Sequence, residues 1–564
     1  MSVPSVPASY YSDAIHLEDV AALEARLQAL LQWPMASVAD LEAWIAAKED
    51  LSASITEAMS GHRIDHHRDT AHPGKRAAVR HDQTVVQPLL ARYQAQLDRT
   101  FLDCPLADHL DDSRYGRMLR VRKATVDLFR EENIPLVVRE QELVGEYIAV
   151  MGSLTVIWNG DKVPYAAVQA QGDGPTRPVR ERAWRALAEA RWAVKSEVDA
   201  IMHELLQLRH QMAVQSGFQN YRDYMFALKQ REYSIGDCHN LHASVERHVV
   251  PAWGRLAHVL RGELGVDRYR PWDTGPCTLS VFPVATTSEL MDAVDAILGR
   301  TDSYFQERFR FMRENGLMDV DMRHGKRPGA FSEPLPETRN AFVFSNFSPS
   351  FTALMALVHE IGHALQSYLQ FASGGSGPDD REEVNELYSH SLELLLLDKL
   401  GEVYQDGHDV KNAMREELHR SLNLLLNPLQ RDLFQHWLYT HPDHTQEQRD
   451  AMFLTINRRF ALQPVDISGL EAEIGASWIS SLHLFAHPFY QIEYTISELG
   501  ALQLLQIYRE DPSQAISLFK QGAATNLQQS IAEIYRATGV AFDFSDQLVV
   551  QSAEFLERLI ADLG

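Results

Sequence analysis

The feature that most constrains the fold is the helical spacing of apolar residues, which runs through most of the 564 residues. Between Arg180 and Met212, apolar side chains recur every three or four positions and mark one face of a long amphipathic helix. Thr445 and Gln448 have the spacing of a capping box, which predicts another helix start. Sustained two-residue alternation is rare. The sequence therefore predicts a mostly α fold.

Two short segments depart from the helical pattern and predict a small β element. Residues Leu154–Trp158, the pair Asn159-Gly160 and an extended run through Gln171 predict a hairpin near 154–171, because Asn-Gly tolerates the positive φ values of a type I′ turn. Alternation over 339–347 predicts a short strand, and the prolines that precede it favour a position at a sheet edge.

The charge balance and the N-terminal sequence limit the class of protein. Lys and Arg total 53 against 77 Asp and Glu, a formal net charge of −24. A nucleic-acid binder needs basic surface, so we expect no nucleic-acid partner. The first twenty residues lack the features of a secretory signal, and no apolar run approaches the length of a membrane span. We therefore expect a cytoplasmic protein with no membrane partner.

The cysteines and the composition give two further expectations. Cys104, Cys238 and Cys277 are spaced for neither a disulfide framework nor a thiolate zinc site, and we expect all three to be free thiols. A shift in composition near residue 180 predicts a boundary between an N-terminal helical region with the hairpin (1–180) and a second region (181–564).

The most informative chemical motif is His359-Glu360-Ile361-Gly362-His363, which interrupts an otherwise apolar helix predicted over 354–370. Histidines four residues apart lie on one helix face, so two imidazole nitrogens can bind one ion at about 2.0–2.1 Å. Glu360 can face the same side and accept a proton from a metal-activated water. This is the role of the glutamate in the H-E-x-x-H pattern.

Chance is the competing interpretation of this motif. The chain contains a partial copy, His203-Glu204, in which Gln207 stands where the second histidine would be. The surrounding residues distinguish the motif from the partial copy. Placing imidazoles in an apolar helix costs desolvation free energy unless their nitrogens bind a metal or a hydrogen-bond partner. Satisfied core histidines are the alternative reading of His359 and His363.

A third metal ligand is expected, because a zinc hydrolase uses three protein ligands and leaves the fourth position to water. In the helix predicted over 381–393, Glu386, Ser389, His390 and Glu393 share one face. We predict that Glu386 is the third ligand. We also predict that Glu393 orients a ligand imidazole through the ring nitrogen that does not bind the metal. A buried salt bridge is the alternative for these carboxylates.

A second group of polar residues lies nearer the C-terminus. Tyr490 and Tyr494 are one helical turn apart, and Pro488 suits the first turn of that helix. Phenol and imidazole donors are what a tetrahedral oxyanion requires, so His483 and His487 are candidates as well. Composition alone favours core tyrosines and surface histidines at these positions.

Together these motifs resemble the thimet oligopeptidase and oligoendopeptidase F family of zinc metallopeptidases, and the oligoendopeptidase F branch is the more similar. The residues that carry the resemblance are His359, Glu360, His363, Glu386, Ser389, Glu393, His483, Phe489, Tyr490 and Tyr494. The resemblance extends from about Met118 to the C-terminus. Thimet-type members have a third tyrosine at the position of Ser497, so thimet-type cleavage preferences are not carried over.

The resemblance implies a ligand set and a role for each site residue. It implies one zinc ion per chain, with Glu360 as the general base, and oxyanion stabilisation by His483 and Tyr490. Tyr494 would help to bind substrate. The implied zinc ligands are His359, His363 and Glu386.

The resemblance also implies an overall architecture. We expect a two-lobed helical ellipsoid that encloses a deep substrate channel, with residues 181–564 as the catalytic region. The channel would admit short unstructured peptides. The strand near 339–347, through Phe344, Ser345 and Asn346, would pair with the peptide backbone by β-augmentation.

The expected function is therefore that of a zinc oligoendopeptidase that hydrolyses internal bonds of short peptides. Two alternatives stay open. One is a zinc exopeptidase of the same fold, and the other is a non-catalytic, zinc-containing scaffold that binds peptides. The sequence does not choose between His483 and His487 at the oxyanion, and it does not predict an oligomeric state.

Overall fold

A computed structural model describes residues 15–174, 176–274, 282–375, 377, 381–460 and 465–563. Cys277, one of the three predicted free thiols, lies outside these residues. The described chain is predominantly helical, with one two-stranded and one three-stranded sheet, which confirms the mostly α fold. No helix in the described part of the chain is both long and apolar enough to cross a membrane.

The elements follow one another along the whole chain. The α-helices are α1 (Val20–Leu31), α2 (Val38–Arg68), α3 (Pro73–His81), α4 (Gln87–Leu102), α5 (Asp112–Leu128), α6 (Ile134–Gly152), α7 (Tyr165–Gln169), α8 (Arg177–Gln215), α9 (Tyr221–Leu228), α10 (Ile235–Glu263), α11 (Thr287–Thr301), α12 (Ser303–Glu314), α13 (Phe351–Ala372), α14 (Glu382–Leu395), α15 (Gly407–Leu424), α16 (Asn427–Thr440), α17 (Gln446–Phe460), α18 (Glu471–Gly475), α19 (Leu482–Ala486), α20 (Gln491–Glu510), α21 (Pro512–Ala523), α22 (Ile531–Ala537) and α23 (Asp546–Asp562). The strands are β1 (Thr155–Trp158), β2 (Asp161–Pro164), β3 (Met318–Asp321), β4 (Phe331–Leu335) and β5 (Asn340–Phe347).

The helix predictions made from apolar spacing hold at both places that the pattern marked. The segment from Arg180 to Met212 lies within α8, whose apolar stripe is buried. At the start of α17, the Thr445 N–H donates to Gln448 Oε1 at 2.9 Å, and the Gln448 N–H donates to Thr445 Oγ1 at 3.3 Å. This reciprocal pair is the capping box that the sequence predicts.

The predicted hairpin is present but shorter than expected. β1 and β2 pair antiparallel, and the turn residues Asn159 and Gly160 have φ values of 54° and 94°. Positive φ at both central positions is the requirement of a type I′ turn. The extension of the strand through Gln171 is wrong, because the helix α7 begins at Tyr165, directly after β2.

The strand predicted over 339–347 exists as β5, but its placement at a sheet edge is wrong. β5 is the central strand of the sheet: it pairs in parallel with β3 and antiparallel with β4. The edge lies one strand away, in β4, which contains Pro334. Proline cannot donate to a neighbouring strand and so is tolerated at an edge. The prolines in the sequence therefore indicated an edge correctly but marked the preceding strand.

The central position of β5 bears on the expected pairing of Phe344, Ser345 and Asn346 with substrate. Phe344 and Ser345 are buried, and the Ser345 carbonyl accepts a hydrogen bond from Lys326 Nζ. The Asn346 side-chain amide donates to the carbonyls of Arg327 and Gly329, both at 2.8 Å. Phe344 is paired on both sides, with β4 and with β3, so its backbone is not open to a peptide strand. The pairing with β4 ends at Phe344, so substrate contact at Ser345 and Asn346 stays a prediction.

The chain divides into two compact units, and each is built from separate stretches of sequence. Unit 1 comprises Met1–Asp127, Phe282–Gln405 and Gly500–Phe542, and unit 2 comprises Leu128–Val281, Asp406–Leu499 and Asp543–Gly564. Residue 180, where the sequence places a domain boundary, lies within α8 and within unit 2. A division into domains at that point stays a prediction.

Candidate active site

The first two candidate ligands lie on α13, a buried helix of unit 1. Ser350 caps its start by accepting a hydrogen bond from the Ala353 N–H at 3.2 Å. The helix has apolar residues of its own on most of its faces, and most of its residues are buried. His359 and His363 lie one turn apart near its middle and are half-buried. The helix thus carries two imidazoles into the interior of unit 1.

The third candidate ligand lies on α14, which is buried from Glu383 to Leu395. The Arg381 guanidinium anchors the start of this helix by donating to the carbonyls of Gln529 and Leu527 at 2.9 and 3.1 Å. These contacts fix α14 within unit 1 and place Glu386 in its second turn.

Gly362 sets the distance between the two helices. A Cβ atom at this position would lie 2.6 Å from Ser389 Cα and 3.0 Å from the Tyr388 carbonyl oxygen. Both are backbone atoms of α14, so the helices are in contact at a point where only glycine fits. This close approach brings Glu386 to the two histidines. Gly362 lies inside the H-E-x-x-H motif, but the sequence carries no signal for this packing role.

The ligand atoms of His359, His363 and Glu386 form a compact triangle. His359 Nε2 lies 3.2 Å from His363 Nε2 and 3.4 Å from Glu386 Oε2, and His363 Nε2 lies 3.7 Å from Glu386 Oε2. A tetrahedral ion with ligand bonds of about 2.0–2.1 Å keeps its ligand atoms roughly 3.4 Å apart. The three residues therefore fit a tetrahedral metal ion, and they are the one such group within the described ranges.

Other residues of α14 support this triangle. Glu393 Oε1 lies 2.6 Å from His359 Nδ1, a contact that holds the proton on Nδ1 and makes Nε2 the nitrogen that can bind a metal. Ser389 Oγ donates to Glu386 Oε2 at 2.9 Å and so orients the carboxylate. His390 Nε2 lies 3.6 Å from the same oxygen. The sequence placed Ser389 and His390 on this face but gave them no role.

Burial governs the protonation of the residues beside the triangle. It raises the pKa of Glu360 to about 8; the Glu386 charge acts in the same direction, and the Ser332 backbone N–H opposes it. A divalent cation at the triangle would lower the pKa of Glu360. Burial also lowers the pKa of His363 to about 4, so this imidazole is neutral near pH 7, as a metal ligand must be.

We predict that Glu393→Gln weakens zinc binding by about 10- to 100-fold, because the amide lacks the charge that fixes the His359 tautomer. Competition with a zinc-binding dye measures the affinity. Glu382→Gln on the same helix is the matched control, since Glu382 accepts from Asn385 at 3.1 Å and is not one of the triangle residues. Equal zinc affinity in Glu393→Gln and wild type would contradict the role given to Glu393.

The predicted histidine and tyrosines lie together in unit 2. Tyr494 OH is 3.4 Å from His483 Nε2, and the ring centroid of Tyr490 is 5.0 Å from that of Tyr494 and 5.5 Å from that of His483. All three side chains are half-buried, whereas His487 is exposed. The ring centroid of His487 lies 5.9 Å from that of His483 and 6.1 Å from that of Tyr490. His483 is thus near both tyrosines, whereas His487 lies at the side of Tyr490. We call His483, Tyr490 and Tyr494 the His-Tyr group.

The backbone that carries the His-Tyr group differs from the predicted helix start. The sequence places Pro488 in the first turn of the helix, but α20 begins at Gln491. The reason is Phe489, whose φ of 60° is left-handed and cannot continue an α-helix. Tyr490 therefore lies just before α20, while Tyr494 lies in its first turn.

Comparison with known proteins places these residues in a family. The model of Peptidase family M3 matches residues 173–524. A solved structure of Pz peptidase A with an inhibitor superposes with a TM-score of 0.86 at 22% identity, over 96% of this chain and 97% of that one. Another, provisionally named oligoendopeptidase F, gives a TM-score of 0.87 at 22% identity, over 98% of both chains. These likenesses show the fold.

A curated relative matches over a shorter stretch. Group B oligopeptidase PepB of Streptococcus agalactiae serotype III (strain NEM316) is 28% identical over 120 residues, which is 21% of this chain and 20% of that relative's length. The family match is broader: it covers well over half of the chain and includes the metal triangle and the whole His-Tyr group. The chain therefore belongs to peptidase family M3, the family that its motifs resemble.

Proposed function

We propose that this peptidase is a zinc-dependent oligoendopeptidase that hydrolyses internal bonds of short, unstructured peptides. The observation that carries the proposal is the spacing of the His359, His363 and Glu386 ligand atoms, which suits one tetrahedral ion. Glu360, the residue that follows the first of these ligands, is 8% exposed. A metal ligand set beside a buried carboxyl group is the arrangement that metal-assisted hydrolysis requires.

The donor set favours a catalytic over a structural metal site. Two imidazoles and one carboxylate leave a fourth position open, whereas structural zinc sites are usually closed by four ligands, often thiolates. The described free cysteines, Cys104 and Cys238, are not part of the triangle. Zinc held by these residues would supply a Lewis acid that polarises the scissile carbonyl and makes water more acidic. This chemistry argues against a non-catalytic scaffold.

The protein residues then have separate tasks. Glu360 accepts a proton from the attacking water at its carboxylate and delivers it to the leaving nitrogen. Tyr490 donates its phenol hydrogen to the oxygen that gains negative charge, and His483 acts with it as a second donor. Tyr494, in contact with His483, helps to hold the substrate. These assignments draw on the grouping and partial exposure of the three side chains.

The outer edge of β4 suits a peptide strand better than β5 does, and a peptide there would compete with Glu360 for the Ser332 N–H. The Val343 N–H donates to the Leu317 carbonyl on the β3 side, so its partner in β4, Ser332, directs its backbone groups away from β5. The Ser332 N–H faces Glu360. A peptide that pairs along this edge by β-augmentation would pass beside the general base, and main-chain pairing would accept many sequences.

Removal of metal tests the proposal. We expect the chelated protein to leave an end-blocked, internally quenched peptide uncut, and we expect about one equivalent of zinc per chain to restore cleavage at an internal bond. Mass spectrometry of the products separates the alternatives, since an exopeptidase would require a free terminus. Full activity in chelated protein that retains no metal would contradict a zinc mechanism.

A further inference from the structure

Phe489, the residue before Tyr490, has a backbone conformation that needs an explanation. Its φ of 60° lies in the left-handed region, where Cβ crowds the backbone and which residues other than Gly, Asn and Asp seldom adopt. Phe489 is 1% exposed, with its ring against His436 and Tyr439 at centroid distances of 5.5 and 5.4 Å. Such a conformation persists only when the surroundings hold it in place.

Two buried side chains hold the backbone of Phe489. Its N–H donates to Gln435 Oε1 at 2.7 Å, and its carbonyl accepts from the Arg231 guanidinium. Gln435 is fully buried, and the side chain of Arg231 is 4% exposed. Both backbone polar groups of the strained residue are therefore bonded to side chains from other helices or their ends. We call Arg231 and Gln435 the Phe489 clamp.

Arg231 is itself aimed by the end of α9. The Gln230 N–H donates to the Ala227 carbonyl at 3.2 Å, and the Arg231 N–H donates to the Phe226 carbonyl at 3.1 Å. This is the hydrogen-bond pattern of a Schellman motif, with Gln230 at φ 49° in the position that glycine usually occupies. A second strained non-glycine residue thus fixes the direction in which Arg231 leaves the helix.

The clamp is joined to the start of α20 by buried charge. Arg231 pairs with Glu493, whose side chain is 2% exposed, and Lys229 Nζ lies 3.1 Å from the same carboxylate. The Glu493 N–H donates to the Tyr490 carbonyl at 3.0 Å, and the Tyr490 N–H donates to the His487 carbonyl at 3.3 Å. The backbone of Tyr490 is therefore fixed on both sides, and Phe489 cannot relax without breaking the clamp.

We infer that Arg231 and Gln435 are positioning residues that hold Phe489 in its left-handed conformation and thereby direct the Tyr490 phenol toward substrate. This inference rests on the oxyanion role proposed above for Tyr490. Neither clamp residue acts on the substrate itself. Losing the clamp lets the peptide between Phe489 and Tyr490 rotate, and displacing a catalytic group by about 1 Å can cost roughly 10²-fold in rate.

Kinetics of an end-blocked peptide test the clamp. We expect Arg231→Met and Gln435→Met each to lower kcat by at least ~10-fold with little change in KM. Gln435→Glu, which keeps the acceptor oxygen, should recover most of the loss. Arg222→Met, within the α9 helix that precedes Arg231, is the matched control, because Arg222 pairs with its neighbour Asp223 at 2.9 Å and should leave kcat unchanged. A fall in kcat/KM that comes only from a higher KM, with kcat unchanged, would overturn the inference.

A double mutant separates positioning from general damage. If the clamp acts through Tyr490, then Arg231→Met/Tyr490→Phe is no slower than Tyr490→Phe alone, whereas full additivity of the two losses overturns the inference. Should Arg231→Met fail to fold, the same cycle is made with Gln435→Met. Wild-type kcat in Tyr490→Phe would instead remove the oxyanion role.

A spectroscopic readout tests the positioning of Tyr490 even if Tyr490→Phe has the wild-type kcat. In protein labelled with fluorotyrosine, the resonance that Tyr490→Phe removes identifies Tyr490. We expect Arg231→Met to shift or broaden this resonance, because the ring loses its fixed orientation, and Arg222→Met to leave it unchanged. An unaltered resonance in both Arg231→Met and Gln435→Met would overturn the clamp regardless of activity.

Discussion

Glu360→Gln is expected to lower kcat for peptide cleavage by about 10²- to 10⁴-fold, the usual contribution of a general base. Glutamine has nearly the same shape but cannot accept the proton of the attacking water. The metal triangle does not include Glu360, so zinc content should stay at the wild-type level. Steady-state kinetics together with metal analysis of the same preparation measures both quantities.

The chain offers a matched control for this substitution. Glu204 follows His203 as Glu360 follows His359, but Glu204 lies on the exposed face of α8 and bonds to Arg139 at 2.7 Å. We expect Glu204→Gln to cleave peptides at the wild-type rate. Wild-type activity in Glu360→Gln would remove this residue from the chemistry, and loss of zinc in Glu360→Gln would mean that it supports the metal instead.

The second large effect is expected from the smallest substitution in the motif, Gly362→Ala. The added methyl group would meet Ser389 Cα at 2.6 Å, so the backbones of α13 and α14 must separate. Overpacking of this kind destabilises by about 1–3 kcal/mol. Because Glu386 lies on α14, the same shift should lower zinc affinity by at least about tenfold. Denaturant unfolding and zinc competition measure the two effects.

Gly145→Ala is the control for the intrinsic effect of alanine. Gly145 lies in the interior of α6, and a Cβ atom there would have no neighbour within 4 Å. Alanine should therefore raise stability, by about 0.5–1 kcal/mol, as expected for a helix interior. Unchanged zinc affinity and stability in Gly362→Ala would show that the helix contact is not what positions Glu386.

The helices and the metal triangle could be anticipated because their signals are local. Residues four apart on a helix share a face, so His359 and His363 had to lie together wherever the helix formed. Spacing on the next helix then selected Glu386 and Glu393 among several acidic residues. The structure brings Glu386 to the histidines and Glu393 to His359. Periodicity places the residues of each helix on one face, and the need of a zinc hydrolase for a third ligand joins the two helices in the prediction.

What the sequence could not provide depends on contacts between distant segments. Alternation within 339–347 predicts a strand but contains no information on its neighbours, so the central place of β5 was missed. The role of Gly362 depends on how near α14 passes. The strain at Phe489 depends on Arg231, 258 residues away. Such features carry no periodic signal, because the partner lies in another part of the chain.

The most direct test of the central claim is zinc K-edge X-ray absorption on protein that carries one zinc ion per chain. Coordination by His359, His363 and Glu386 predicts only nitrogen and oxygen neighbours at about 2.0–2.2 Å, with outer-shell scattering from two imidazoles. A sulfur neighbour at about 2.3 Å, or scattering from four imidazoles, would contradict this ligand set and with it the proposed hydrolytic site.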